Sequence, residues 1–436
     1  MRRFMYLHGS AEIRNGDLMI GGVSTIDLAI QYGTPLYVYD TKLIRERARG
    51  FKETFESLGV KAEVAYASKA FSSIAIFQLM KEEGLSLDVV SGGELFTALK
   101  AGFPPERIHF NGNNKSREEL LMAVENGIGC IVVDNFHELE LVNEVSRSVE
   151  RITRVLLRVT PGIEAHTHDY ILTGQEDSKF GFDLGNGQAE KAMKWAMDSE
   201  AIELLGLHCH IGSQIFETTG FILAARKIIE KLAQWSLHYN FNPKVLNLGG
   251  GFGIRYTEDD DPIPPAQYVK EMIAAVKEEV EKYNLDLPEI WIEPGRSLVG
   301  DAGTSLYTLG SQKAVPGIRK YIAIDGGMSD NIRPALYKAK YEAIIANKAD
   351  RIPEETVSIA GKCCESGDML IWDLPLPASE AGDILAVFCT GAYGYSMANN
   401  YNRIPRPAVV FVENGRARLA VRRETYEDLV NLDISL

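Results

Sequence analysis

Residues 62–71 read AEVAYASKAF. The alternating and then apolar residues of this run predict a strand with a buried C-terminal half. Its tip carries an ammonium, Lys69. A lysine at a strand end is ordinary by itself, so its meaning depends on what else follows the same pattern. Six more short β-rich or apolar runs follow: LSLDVVS (85–91), IHFNG (108–112), CIVVD (130–134), RVLLRVT (154–160), LLGLHCHIGS (204–213) and KVLNLGGGFG (244–253). An eighth, EIWIEPGR (289–296), closes the series. Amphipathic helical periods fill the gaps. One, 41–58, precedes the first strand, and another carries the capping-box pattern Ser116…Glu119. Strands alternating with helices make a parallel sheet. Eight of them over about 250 residues is the count of a (β/α)8 barrel. A doubly wound open sheet is the structural alternative.

The barrel makes a demand: reactive groups belong at the C-terminal ends of its strands. Lys69, Asp88, Asn111, Asp134, Arg158, His210, the run Gly249–Gly251, Glu293 and Arg296 all fall there. Past Gly295 the helical periods thin out and β-rich runs take over. Asn414-Gly415 sits between two of them, a hairpin signal that Asn15-Gly16 repeats near the N-terminus. The expectation is a barrel over 39–296. A second, all-β domain is expected from 1–38 and 297–436, with the first 35 or so residues pairing with the C-terminal third.

The chain has 436 residues, 45% apolar and 24% charged, with 46 basic against 60 acidic side chains and a net charge of −14. That balance argues against a phosphate-backbone binder and hence against nucleic acid. No apolar stretch approaches the roughly 20 residues of a membrane helix. The opening MRRFMYLHGS lacks an apolar core of the signal-peptide kind. Cys130, Cys209, Cys363, Cys364 and Cys389 form no paired framework. A cytoplasmic location with reduced thiols is the expectation.

The glycines of LNLGGGFGI let backbone N–H groups close around an anion, and EPGRS adds a glycine and the fixed cation Arg296. Glycine loops after the seventh and eighth strands are where such barrels bind phosphate. A lysine in the same mouth suggests a Schiff base with pyridoxal phosphate. Glu293 is then the acidic partner for the pyridine nitrogen, and His210 offers a flat ring for stacking. Two His-x-His pairs, His166/His168 and His208/His210, keep a metal-dependent hydrolase open as a rival. In the second pair, strand alternation sends both side chains to one face. A non-enzymatic cofactor carrier would leave the second domain unexplained.

Eight segments carry a resemblance: YASKAF, SLDVVSGGEL, HCHIGSQ, NLGGGFGI, EPGRS, DNIRPALY, CCESGD and GAYGYSMANNYN, spanning residues 66–402. On them the chain resembles the diaminopimelate decarboxylase family, in the pyridoxal phosphate group that also holds ornithine decarboxylase and alanine racemase. The resemblance implies that Lys69 bears the cofactor, His210 lies over its ring and Glu293 meets its ring nitrogen. Ser213, Gly251, Gly295 and Arg296 fall around the phosphate, with Asp88, Arg158, Gly250 and Pro294 in the wider cofactor set. It makes Cys364 the acid that returns a proton to the substrate carbon. Tyr393 touches cofactor and substrate, and Arg296, Arg333, Tyr337 and Glu365 read the substrate. In this family Cys364 and Glu365 enter the neighbouring subunit's site, which implies a homodimer. The implied reaction converts meso-2,6-diaminopimelate to L-lysine and CO2, with no metal. A decarboxylase of the ornithine or arginine type is the nearest alternative, although two arginines suit a distal carboxylate better.

Overall fold

The computed structural model describes residues 6–163 and 178–436. The chain divides into two compact units. One comprises Arg47–Gly253 and Pro262–Ser297; the other comprises the chain up to Glu46, Ile254–Asp261 and Leu298–Leu436.

In the first unit eight parallel strands form the barrel: β1 (Ala62–Ala67), β2 (Ser86–Val89), β3 (Ile108–Phe110), β4 (Cys130–Val133), β5 (Thr153–Thr160), β6 (Ile202–His208), β7 (Val245–Asn247) and β8 (Glu289–Ile292). Each pairs with its sequence neighbour, β8 pairs with β1, and β4 pairs with β5. The ring is therefore closed, which excludes the open doubly wound sheet. A short strand, Phe182–Asp183, lies parallel to the end of β5. The strands read as nearly continuous apolar runs because both faces are covered. Where a strand hands over to its helix, a small polar residue caps the helix. Ser73, Ser91, Ser116 and Asn135 do so for Ile74–Glu82, Gly92–Lys100, Arg117–Asn126 and Phe136–Ser148. At Ser116 both halves of the capping box with Glu119 are formed.

The second unit is mostly β. Leu36–Asp40 lies between Gly303–Val315, to which it is antiparallel, and Ala408–Glu413, to which it is parallel. Both predicted hairpins form. Asn15 and Gly16 (φ 54° and 88°) join Glu12–Arg14 to Asp17–Ile20, and Asn414 and Gly415 (φ 52° and 73°) join Ala408–Glu413 to Arg416–Val421. One detail differs from expectation. The N-terminal hairpin makes its own three-stranded sheet with Val23–Ser24, and Leu36–Asp40 supplies the pairing with the C-terminal third. The hairpin instead buries Leu18 and Ile20 in a core with Val38, Leu306, Ile322, Val387 and Val410. A helix, Thr25–Tyr32, follows it. Among the described residues no helix is long and apolar enough to cross a membrane.

Candidate active site

Strand β1 ends at Ala67, and the chain turns at once through a single 3-10 turn, Ser68–Ala70. Ser68 and Ala70 are buried, while Lys69 between them is exposed. The turn is braced. Ser68 Oγ donates to Glu94 Oε2 at 2.6 Å, Ser72 Oγ to the Ser68 carbonyl at 2.7 Å, and Tyr66 OH to the Phe71 carbonyl at 2.8 Å. A flexible amine thus stands on a fixed backbone.

At the tip of β8, Glu293 is 7% exposed and takes three donors. His208 Nε2 lies 2.9 Å from Oε2, and Asn247 Nδ2 and Asn111 Nδ2 donate to Oε1 at 2.8 and 3.1 Å. Asn247 is itself oriented, because its Oδ1 accepts the Gly249 N–H at 2.9 Å. Burial works to raise the Glu293 carboxyl, but the hydrogen bonds from His208 and Asn247 help to override it and hold the group below its usual range. Asp88, which accepts from Asn111 at 2.7 Å, goes the other way: burial, then the Glu293 charge, pushes it well above its usual range. Environment thus drives the two carboxyls apart, a mark of reactive sites.

His210 is half-buried, and its Nδ1 accepts the Gly250 N–H at 3.3 Å. Burial, then the Lys69 and Arg158 charges, lowers its pKa well below the ordinary value, so the ring is neutral. Gly250 and Gly251 have no room for a side chain. A Cβ on Gly250 would strike the Glu293 carbonyl, and one on Gly251 (φ +108°) would strike the Gly212 carbonyl. Pro294 O accepts the Ala67 N–H at 3.1 Å, and Gly295 packs against Ala67 and Ala70, on either side of Lys69. Arg296 Nη2 donates to Ser213 Oγ at 2.9 Å. A hydroxyl, a guanidinium and tightly packed glycine turns are a set of groups of the kind that suits an anion. Arg158 is buried too, 3.9 Å from Asp134 and over the Phe180 ring at 4.3 Å.

The remaining predicted residues belong to the second unit. Arg333 is buried, with Nη1 donating to Tyr341 OH at 2.5 Å and Tyr256 OH at 3.3 Å. The Tyr256 and Tyr341 rings also face its guanidinium, at 5.1 and 5.7 Å. Tyr337 is exposed on the same short helix, Arg333–Tyr337. Cys364 and Glu365 are exposed on a tight turn. Asp368 pins that turn by accepting the amides of Cys363 (2.9 Å) and Met328 (2.7 Å), and Asn402 Oδ1 accepts the Cys364 amide at 2.8 Å. Tyr393, half-buried at φ 63°, lies near enough to Arg333 to act on its charge.

The sequence places His208 in a His-x-His pair and carries no motif that assigns Asn247, Tyr256, Tyr341 or Asp368 a role. The His208 and His210 rings engage different partners, and no metal-type cluster of His, Cys, Asp and Glu occurs among the described residues. His166 and His168 lie outside those residues. The asparagine two residues before the glycine run was the available clue to Asn247.

A family model for pyridoxal-dependent decarboxylases, their pyridoxal binding domain, matches residues 41–300. The chain is 72% identical over 421 residues to a diaminopimelate decarboxylase of Bacillus methanolicus, covering 96% of this chain and 98% of that one. Against the Bacillus subtilis protein of the same name it is 69% identical over 431 residues, with 99% and 98% covered. A solved diaminopimelate decarboxylase from M. jannaschii, in co-complex with L-lysine, superposes with TM-score 0.90 at 39% identity, covering 98% of each chain.

Proposed function

The chain belongs to the pyridoxal-dependent decarboxylases, and from that premise we infer that it converts meso-2,6-diaminopimelate to L-lysine and CO2. It is a carboxy-lyase dependent on pyridoxal 5'-phosphate, serving the last step of lysine biosynthesis. The observation that carries this reading is one barrel rim bearing Lys69, an anionic Glu293 and the cradle around Arg296, in a chain 72% identical to a diaminopimelate decarboxylase.

The rim fits the cofactor by its chemistry. The glycine turns, where a Cβ has no room, together with Ser213 and Arg296 suit a phosphate. Lys69 is the amine that holds the cofactor. The neutral His210 ring supplies a stacking face, and Glu293 holds a proton at the ring nitrogen. Asp88 and Arg158 border this set, and Pro294 ties the tip of β8 to β1. When bound, pyridoxal phosphate supplies an electron sink for the pair left by departing CO2. Cys364 returns a proton to the substrate carbon, and Tyr393 helps to seat the reacting end. Arg333 takes the distal carboxylate, helped by Arg296 and Tyr337, while Glu365 takes the distal ammonium.

The working enzyme is a homodimer in this reading. Cys364 and Glu365 are exposed in the single chain, as groups offered to a second copy would be. The five cysteines are all free, which suits the cytoplasm. The test is CO2 release and lysine formation from meso-diaminopimelate, run beside ornithine, lysine and arginine. Faster CO2 release from ornithine or arginine would overturn the substrate assignment.

A further inference from the structure

Glu293 is useful at a pyridine nitrogen only if its negative charge is not already neutralised by a neighbour. The group closest to neutralising it is His208, whose Nε2 lies 2.9 Å from Oε2 with both side chains buried. If His208 is an imidazolium, the two form a closed ion pair. If it is a neutral imidazole protonated on Nε2, it donates one hydrogen bond and leaves the carboxylate a full anion.

The geometry separates these two states. His208 Nδ1 is buried and, among the described residues, has no hydrogen-bond partner. An imidazolium must place an N–H there, and a buried N–H without an acceptor is costly, whereas a bare ring nitrogen left unpaired costs less. The other two donors to Glu293 are the amides of Asn111 and Asn247, which carry no charge. Titratable groups acting on this cluster include His210, which is neutral, Asp88, held towards its acid form, the cations Lys69 and Arg158, and the buried thiols Cys130 and Cys209, which burial pushes up. Three neutral donors around one buried anion form a set that orients charge without cancelling it.

We propose that His208 is a neutral, Nε2-protonated positioning residue, which with Asn111 and Asn247 fixes Glu293 as a full anion and reserves its charge for the cofactor ring nitrogen. The proposal rests on the placement of Glu293 at that nitrogen, given above. A cation in place of His208 would lower the ring nitrogen's affinity for its proton by at least one pKa unit, about tenfold.

The test uses the full-length, cofactor-loaded protein with 15N-labelled histidines, the His208 signals being assigned by their loss in His208→Gln. The expected spectrum near neutral pH has Nε2 protonated and Nδ1 bare. Two protonated nitrogens, or a proton on Nδ1 alone, would overturn the proposal. A second arm compares His208→Gln, a neutral donor, with His208→Lys. The glutamine variant should keep the bound cofactor's absorption spectrum and retain turnover within about threefold, while the lysine variant shifts the spectrum and loses about tenfold or more. Equal losses in both variants would reduce His208 to packing and overturn the proposal; if His208→Lys does not fold, the wild-type spectrum decides. Glu293→Gln separates the two levels of the argument. A wild-type cofactor spectrum in that variant would remove Glu293 from the ring nitrogen, and the proposal with it. An altered spectrum beside an imidazolium at His208 would sink the proposal alone.

Discussion

The rim around Glu293 and the turn carrying Cys364 and Glu365 are both polar, and they are held in opposite ways. Around Glu293 the side chains are fixed: Glu293 is buried with three donors, and one of these, Asn247, is locked in turn by the Gly249 amide. At the turn the backbone is fixed instead. Asp368 and Asn402 bind the amides of Cys363, Met328 and Cys364, while the side chains of Cys364 and Glu365 stand exposed. A site that must orient a rigid planar cofactor needs the first kind of order. Side chains that complete their surroundings only against another surface need the second. Damage at the rim should therefore be final, and damage at the turn open to repair by another chain.

The largest effect is expected at the rim. Lys69→Ala should take turnover to background, because Lys69 is the amine assigned to hold the cofactor covalently. Borohydride reduction of the loaded wild-type protein should fix the cofactor's mass on the peptide containing Lys69, and a label on another lysine would remove that assignment. Next comes Arg333, which shares the turn's unit but is buried. Arg333→Ala removes a charge-assisted contact at a cost on the order of 2–5 kcal/mol, roughly 30- to several-thousand-fold in kcat/KM for diaminopimelate. The cofactor spectrum should persist, since Arg333 is not assigned to the cofactor. Loss of bound cofactor in this variant would contradict the division between rim and substrate reading.

The comparison itself is tested by mixing inactive variants. Cys364→Ala should depress turnover while leaving cofactor binding intact. Mixed with Lys69→Ala under subunit exchange, it should recover up to about a quarter of wild-type activity, from one intact site in each mixed dimer. Absence of recovery after confirmed exchange would mean that the turn serves its own chain.

Much of the barrel was legible because its signals are local. Strand-to-helix alternation, caps at Ser116 and glycines after β7 each lie within a few residues. The rim's chemistry was half legible. Strand ends announced Lys69 and Glu293, but the three donors to Glu293 come from β6, β7 and the residue after β3. Only closure of the ring brings Asn111, 182 residues away in sequence, to that carboxylate. Asn111 reads as one more polar strand end until then. The pairing of Leu36–Asp40 failed for the opposite reason. The hairpin signal at Asn15-Gly16 is strong, whereas the buried strand Leu36–Asp40 has no turn motif of its own. Tyr256 and Tyr341 carry no motif, and 77 residues separate Tyr256 from Arg333.

Those tyrosines give the smallest and most discriminating test of the comparison. Arg333 is ordered like the rim, by side chains, although it shares a unit with the exposed turn. If its two phenols aim the guanidinium, removing one hydroxyl should impair substrate reading without touching chemistry. Tyr341→Phe keeps the ring beside the guanidinium and deletes only the acceptor at 2.5 Å, while Tyr256 OH remains at 3.3 Å. Loss of one such bond with a second in reserve costs about 0.5–1.5 kcal/mol. That corresponds to roughly a two- to tenfold rise in KM for diaminopimelate, with kcat and the cofactor spectrum unchanged. Tyr256→Phe should do less, since its bond is longer, and the double variant should approach the lower end of the Arg333→Ala effect. L-Lysine keeps the distal carboxylate, because the one lost as CO2 comes from the reacting carbon, so its binding as a competing product should weaken in step with the KM rise in all three variants. An unchanged KM in Tyr341→Phe, or a fall in kcat alone, would show that the phenols only fill space. Arg333 would then be aimed by its helix, and side-chain order would be confined to the barrel rim.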